Sequence, residues 1–207
     1  MEDLYKYEKE LWDKNFNYIG GVDEVGRGPL IGPVVTACVV LPKDFKLEGL
    51  TDSKKLTEKK REEYYEYIIN NCIAWATGEC SPAEIDKYNI LEATKIAMKK
   101  AIDKVNSKLK LDYILIDGNM KFDFDYNYQS IVKGDSKSIS IAAASVVAKV
   151  TRDRMLIELD KKYPQYGFKD HKGYPTKKHI EAILEYGLID GYRKTFKPIS
   201  EIVAKKK

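Results

Sequence analysis

Four acidic positions stand out by their surroundings. Asp23 and Glu24 end an apolar stretch, Asp117 ends the run Tyr-Ile-Leu-Ile, and Asp135 completes the triplet Lys133-Gly134-Asp135. A charged carboxylate at the tip of an apolar segment is costly unless it is paired or metal-bound. Several such groups converging would repel one another, and a divalent cation removes that cost. Ligation by carboxylate oxygens alone suits Mg²⁺ or Mn²⁺ rather than zinc. Two such ions about 3.5–4 Å apart can activate water and stabilise the leaving oxygen of a phosphodiester. Taken singly, each acid is explained as well by a solvated surface group. Asp135 could merely cap a helix, and Asp117-Gly118-Asn119 could merely turn the chain. A regular strand points neighbouring side chains to opposite faces, so Asp23 and Glu24 share a site only if the strand is distorted there. The glycines that follow them make a local distortion the expected solution.

Those glycines lie in Gly26-Arg27-Gly28-Pro29-Leu30-Ile31-Gly32-Pro33. The spacing does not fit a dinucleotide-binding loop, and two prolines interrupt the helix start such a loop requires. A plain turn is one reading. In the other, Gly26 and Gly28 let the backbone approach a sugar hydroxyl while Arg27 meets a phosphate.

Five strands and at least five helices are expected to position these groups. Residues 18–25 and 32–41 are rich in β-branched residues and read as an antiparallel hairpin. Residues 72–80, 111–117 and 129–132 are further strands, the fourth reading as buried on both faces. Thr57 opens a helix to residue 70. Ser81, Pro82 and Glu84 form a helix start with a capping box. Asn89 and Glu92 repeat the signal, so a short helix precedes a longer one. Ser136 or Ser138 caps a long helix to residue 163, and residues 176–186 form another, ended by Gly187. Strands followed by alternating helices and strands imply an α/β fold with a mixed sheet covered by helices. Residues 1–17 read as a short polar helix or arm.

The 207 residues suit one domain with a sizeable core, and 43% hydrophobic content excludes wholesale disorder. The apolar runs 31–41 and 139–148 are too short to span a bilayer. The charged N-terminus lacks the features of a secretory signal, which makes the cytoplasm the expected location. Cys38, Cys72 and Cys80 form no CxxC pair and read as buried thiols in strands. A net charge of +4 hints only weakly at an anionic partner.

In order along the chain, GVDEVGRGPLIGPVV (21–35), DSKKL (52–56), IDGN (116–119), KGD (133–135), SIAAASVVAKVTRDR (140–154) and HKGYPT (171–176) resemble bacterial ribonuclease HII, the type 2 ribonuclease H. The likeness runs from about residue 18 to about residue 198. Six motifs in one order are specific where any one alone is weak. The resemblance implies a single catalytic domain over 1–207, with a family core at 18–198, a short arm at 1–17 and a basic tail at 199–207. It implies a ribonuclease H-like fold: a central mixed sheet flanked by helices, with a helical C-terminal part. It implies Mg²⁺- or Mn²⁺-dependent, two-metal-ion cleavage of the RNA strand in RNA–DNA hybrids. Cutting 5′ of single ribonucleotides embedded in duplex DNA, leaving 3′-hydroxyl and 5′-phosphate ends, is also implied. The work would be ribonucleotide removal from DNA and primer processing, done by a monomer with no membrane partner.

By the same resemblance, Asp23, Glu24, Asp117 and Asp135 are the metal-binding catalytic acids. Gly26, Arg27 and Gly28 read the 2′-hydroxyl, and Tyr174 stacks on the sugar beside the junction. The resemblance also places Lys54, Lys55 and Lys172 around the site as candidates for phosphate contacts, and Ser145 among the substrate-binding residues. The alanines 142–144 are expected to pack the core. Most other cations, including Lys149, Arg152 and Arg154, are expected on a solvated face, and Lys205 to Lys207 as a mobile tail. His179 is expected at the surface, and His171 to shape the site without acid–base work. Two alternatives compete with this reading. One is a binding module that kept the fold and lost the chemistry, which the full acid set argues against. The other is a ribonuclease HIII, whose usual extra N-terminal domain the short stretch before residue 18 cannot form, and which lacks the GRGP pattern.

Overall fold

A computed structural model describes residues 3–205. The strands are β1 (Ile19–Val25), β2 (Val34–Val40), β3 (Ala74–Cys80), β4 (Tyr113–Asp117) and β5 (Tyr128–Ile131). They form one sheet in the order β3-β2-β1-β4-β5. β1, β2 and β3 pair antiparallel, while β4 lies parallel to both β1 and β5. The expected hairpin and mixed sheet are therefore present.

The helices are α1 (Lys6–Trp12), α2 (Glu58–Asn71), α3 (Pro82–Asn106), α4 (Ile139–Lys162), α5 (Phe168–His171), α6 (Lys177–Tyr186) and α7 (Ile199–Ala204). Their starts follow the sequence signals. Thr57, Ser81, Ser138 and Thr176 each accept a backbone N–H as N-caps, and Ser81 with Glu84 closes a capping box. Asn89 leaves helical geometry at φ 67°, and its Oδ1 caps the second part of α3 through the amides of Leu91 and Glu92.

The sheet is covered on both faces, so every residue of β2 is buried. Ala37 and Val39 face α4 and α2, whereas Cys38 and Val40 face α3. That alternation is the period of a strand. α4 lies close to β1: a Cβ on Gly21 would stand 2.1 Å from the backbone carbon of Ser140. The alanines 142–144 on α4 are fully buried, as expected.

Several features differ from the sequence reading. The N-terminal arm is docked: Leu11 is buried, and buried Glu8 accepts hydrogen bonds from Ser138 Oγ and the Ser140 amide at the start of α4. Residues 199–204 are no tail but the helix α7, with Ile199 in a C-terminal core beside Phe168, Ile183 and Tyr192. Lys206 and Lys207 lie outside the described residues. Cys38 and Cys80 are buried in strands, but Cys72 is half-buried at the C-cap of α2, because the helix runs on and β3 starts at Ala74. Residues 26–33 are more than a turn. Leu30 and Ile31 plunge into the C-terminal core, and Ile31 bridges to Tyr192.

Candidate active site

β1 and β4 run parallel and end side by side. Their last residues bring Asp23, Glu24 and Asp117 together, with one carboxylate oxygen of each within 4.8 Å of the others. The pairing of β1 with β2 continues residue for residue through Asp23, Glu24 and Val25. The expected distortion of the strand is therefore not what unites the pair. The pairing of β1 with β4 stops at Val22, so beyond it the edge is open. Asp23 folds back to accept its neighbour's amide, Glu24 N–H to Asp23 Oδ1 at 2.7 Å, while the longer Glu24 reaches the same site.

Asp135 lies in a one-turn helix, Gly134–Ser136, docked on the end of β4 by Gly134 N–H to Asp117 Oδ1 at 2.6 Å. It does not cap α4; Ser138 does. It also stands outside the tight set of three. It is close enough that, after burial, the Asp117 charge is the main influence raising its pKa.

The electrostatics are those of crowded acids. Burial, then the charges of Glu24 and Asp117, push Asp23 well above the usual carboxylate range. Burial also raises Glu24, against the opposing Arg27 guanidinium 3.5 Å away. Lys54 is held charged: burial works against it, but the carboxylates of Asp52, Asp23, Asp135 and Asp117 outweigh that cost. Glu24 Oε2 is buried with no hydrogen-bond partner among the described residues. Native structures satisfy most such atoms, so an acceptor left over beside two other carboxylates marks a place for a cation. The all-oxygen donor set fits a hard divalent ion.

Asp23 and Glu24 open into a cavity of about 270 Å³ shared with Ser53, Lys54, Ser145, Lys149 and Tyr174, whose lining does not include Asp117 or Asp135. It adjoins a smaller one of about 130 Å³, lined by Glu24, Lys54, Tyr174 and the Gly26-Arg27-Gly28 loop. Gly28 lies against the Tyr174 ring, 3.2 Å from a would-be Cβ to Cε1. Ser145 Oγ donates to Ser53 Oγ at 2.8 Å, a partner the sequence did not suggest. Lys55 is exposed and lines neither cavity. Lys172 lines neither, and its ammonium bonds the Lys169 carbonyl at 2.6 Å. A larger cavity of about 560 Å³ lies before α6, but no set of converging carboxylates lines it.

Three residues expected in bland roles, or not singled out, shape the site from behind. Arg152 is buried, not solvated, and donates to the carbonyls of Ile31, Pro33 and Lys172. Its guanidinium also explains Gly26, where φ is +89° and a Cβ would stand 2.2 Å from Arg152 Nε. Arg193 is buried and donates to the carbonyls of Gly26, Arg27 and Gly32. His179 is fully buried, not at the surface. Its Nδ1 is 2.8 Å from the Tyr174 carbonyl and its Nε2 2.8 Å from the Tyr192 hydroxyl. A carbonyl only accepts, so Nδ1 carries the proton and Nε2 accepts from Tyr192. Burial lowers the His179 pKa to about 4. His171 stacks on His179 with ring centroids 4.3 Å apart. Helical phase could have found two of the three. Arg152 lies four residues from buried Ala148 and from buried Leu156, and His179 three and four before buried Ala182 and Ile183. Arg193, in an irregular segment, gave no periodic signal.

A mixed sheet whose adjoining parallel strands deliver carboxylates to one edge, backed by a long small-residue helix, defines a ribonuclease H-like fold. The sequence profile described as Ribonuclease HII matches residues 20–199, and the chain belongs to the ribonuclease HII family. Relatives named Ribonuclease HII from Bacillus mycoides (strain KBAB4) and Bacillus anthracis (strain A0248) are 53% identical over 203 residues, covering 98% of this chain and 78% of theirs. The crystal structure of ribonuclease H2 from Pyrococcus horikoshii OT3 is similar with a TM-score of 0.73 at 29% identity, over 91% of this chain and 98% of that one. Ribonuclease HII of Archaeoglobus fulgidus, solved with PCNA, has a TM-score of 0.71 at 26% identity, over 87% and 95% of the two chains. Bst-RNase HIII, solved with Mn²⁺, shares the fold at 18% identity, with a TM-score of 0.69 over 92% of this chain and 70% of that one.

Proposed function

We propose that this chain is a divalent-metal-dependent endoribonuclease. It hydrolyses the RNA strand of RNA–DNA hybrids and cuts 5′ of single ribonucleotides in duplex DNA, leaving 3′-hydroxyl and 5′-phosphate ends. The observation that carries the reading is the convergence of Asp23, Glu24 and Asp117, with an unpartnered Glu24 oxygen, beside the loop Gly26-Arg27-Gly28 and Tyr174. Asp23, Glu24, Asp117 and Asp135 would hold Mg²⁺ or Mn²⁺, two ions in this reading. Bound there, the metal supplies a water nucleophile at neutral pH and countercharge for the leaving oxygen.

The protein's own groups orient the substrate. The 2′-hydroxyl is the one group that marks a ribonucleotide in DNA, and the glycine loop brings backbone close to it. Arg27 and Lys54 meet the flanking phosphates, and the half-exposed Tyr174 ring stacks on the sugar beside the junction. Ser145 fixes the acid wall through Ser53 and Asp23. Lys55 and Lys172 remain candidates for more distant phosphates. The reading assigns one catalytic domain, working as a monomer in the cytoplasm, in ribonucleotide removal and primer processing. No described helix is long and apolar enough to cross a membrane.

The test is a DNA duplex carrying one ribonucleotide, with Mg²⁺ or Mn²⁺. A single cut 5′ of that nucleotide is expected, and Tyr174→Ala should lose about tenfold more on this substrate than on a long hybrid, the scale of one stacking contact. Equal cutting of an all-DNA duplex would overturn the substrate assignment.

A further inference from the structure

The loop Gly26-Arg27-Gly28 is presented to the cavity by a clamp that no motif announced. Arg193 is fully buried, and its guanidinium spends its donors on this loop. Nη2 donates to Gly26 O at 2.6 Å, Nη1 to Arg27 O at 2.9 Å, and Nε to Gly32 O at 3.0 Å. The two peptide bonds concerned are trans, so each N–H points opposite to its own carbonyl. With the carbonyls of Gly26 and Arg27 drawn inward, the amides of Arg27 and Gly28 are turned the other way. Neither amide has a partner among the described residues, whereas further along the loop Leu30 N–H donates to Gly173 O and Gly32 N–H to Gly191 O. The same loop residues line the small cavity with Glu24 and Tyr174.

We infer that Arg193 is a positioning residue for ribonucleotide recognition: it aims the Arg27 and Gly28 amides at the oxygen of a ribose 2′-hydroxyl. Arg193 touches no substrate itself. Its own backbone is anchored from outside the core. Asp86, on α3, accepts hydrogen bonds from the amides of Lys194 and Thr195 and from the Thr195 hydroxyl, at 2.9, 3.0 and 2.7 Å. The planar guanidinium fork is what allows one side chain to hold three carbonyls; a lysine ammonium at the same place could not span them.

This inference deepens the proposed function and rests on it. The experiment measures affinity for two duplexes, one with a single ribonucleotide and one all-DNA, in an Asp117→Asn background that does not cleave. Ribonucleotide preference, the ratio of the two affinities, is the readout. Arg193→Lys should cut that preference at least fivefold while affinity for the all-DNA duplex stays within twofold, because Arg193 holds the loop backbone and the long, half-exposed Arg27 side chain can still reach a phosphate. Asp86→Ala, a surface change that leaves the core intact, should lower the preference about twofold in the same direction and keeps the question answerable if Arg193→Lys does not fold. Equal losses on both duplexes, or an unchanged preference in both variants, would reduce Arg193 to a structural residue and overturn the inference. Absence of any preference in the parent protein would instead overturn the underlying function.

Discussion

The acids at the ends of β1 and β4 and the arginines behind the loop flank one cavity, yet they solve burial in opposite ways. Asp23, Glu24 and Asp117 are like charges at an apolar edge, with one oxygen left without a partner. Arg152 and Arg193 are also like charges buried near each other, but backbone carbonyls satisfy each of them. Burial with full hydrogen bonding makes a scaffold, and burial without it makes a vacancy for a ligand. The acid edge is thus crowded as folded, and in the proposed function a cation would relieve it, while the arginine region is complete as folded.

The largest expected effect breaks the acid side. Asp23→Asn should abolish cleavage yet raise the melting temperature of the metal-free protein, by about 2–4 °C for each kcal/mol of repulsion removed. Because the folded Asp23 has a raised pKa, the native state keeps a proton that the unfolded chain has released. Metal-free stability therefore falls as pH rises above the ordinary carboxylate range, and the variant should lose that slope. Adding Mn²⁺ should stabilise the parent and leave the variant nearly unmoved, and chelation should reverse it. Thermal unfolding across pH, with and without metal, checks all three. A variant that is inactive and also less stable would contradict the picture of a strained edge.

On the other side, Arg152→Ala should cost about 3 kcal/mol or more, because three carbonyls lose their donors at once. Urea denaturation measures it. A loss below about 1 kcal/mol would mean that water replaces the guanidinium and that the region is less self-contained than its hydrogen bonds imply.

The smallest effect sharpens the contrast through pH. His179 stays neutral in the fold down to about pH 4, while the unfolded chain protonates it near 6.5. The unfolded state then binds more protons, so this group's contribution is full above pH 6.5 and is lost as pH falls toward 4, at most about 3 kcal/mol. The acid edge moves the other way over the same interval. His179→Gln should flatten the acid limb of unfolding free energy against pH, and an unchanged limb would remove His179 from the account.

How much of this was legible beforehand varied with the physical origin of each feature. Helix starts at Thr57, Ser81 and Ser138 are local hydrogen-bonding events, so the side chain that makes the cap is visible in the chain itself. The kink at Asn89 is of the same kind. Asp23, Glu24 and Asp117 are recognisable because they end apolar strands, but Asp23 and Glu24 meet without the local distortion expected from the glycines. The answer depends on where β4 stops pairing, which is a long-range fact. The expected tail became α7 because its apolar residues find a core that only distant segments supply.

By itself, then, the sequence determined the strand order, most of the helices, the caps, and the four acids and glycine loop to which the proposed chemistry is assigned. These depend on residue type and on contacts a few positions away. Only the tertiary structure decided which acids converge, that the Lys172 ammonium bonds the Lys169 carbonyl, and that Arg152, Arg193 and His179 are buried. A charged side chain's cost or value is set by the partners around it, and for Arg193 those partners lie more than 160 residues away in the chain.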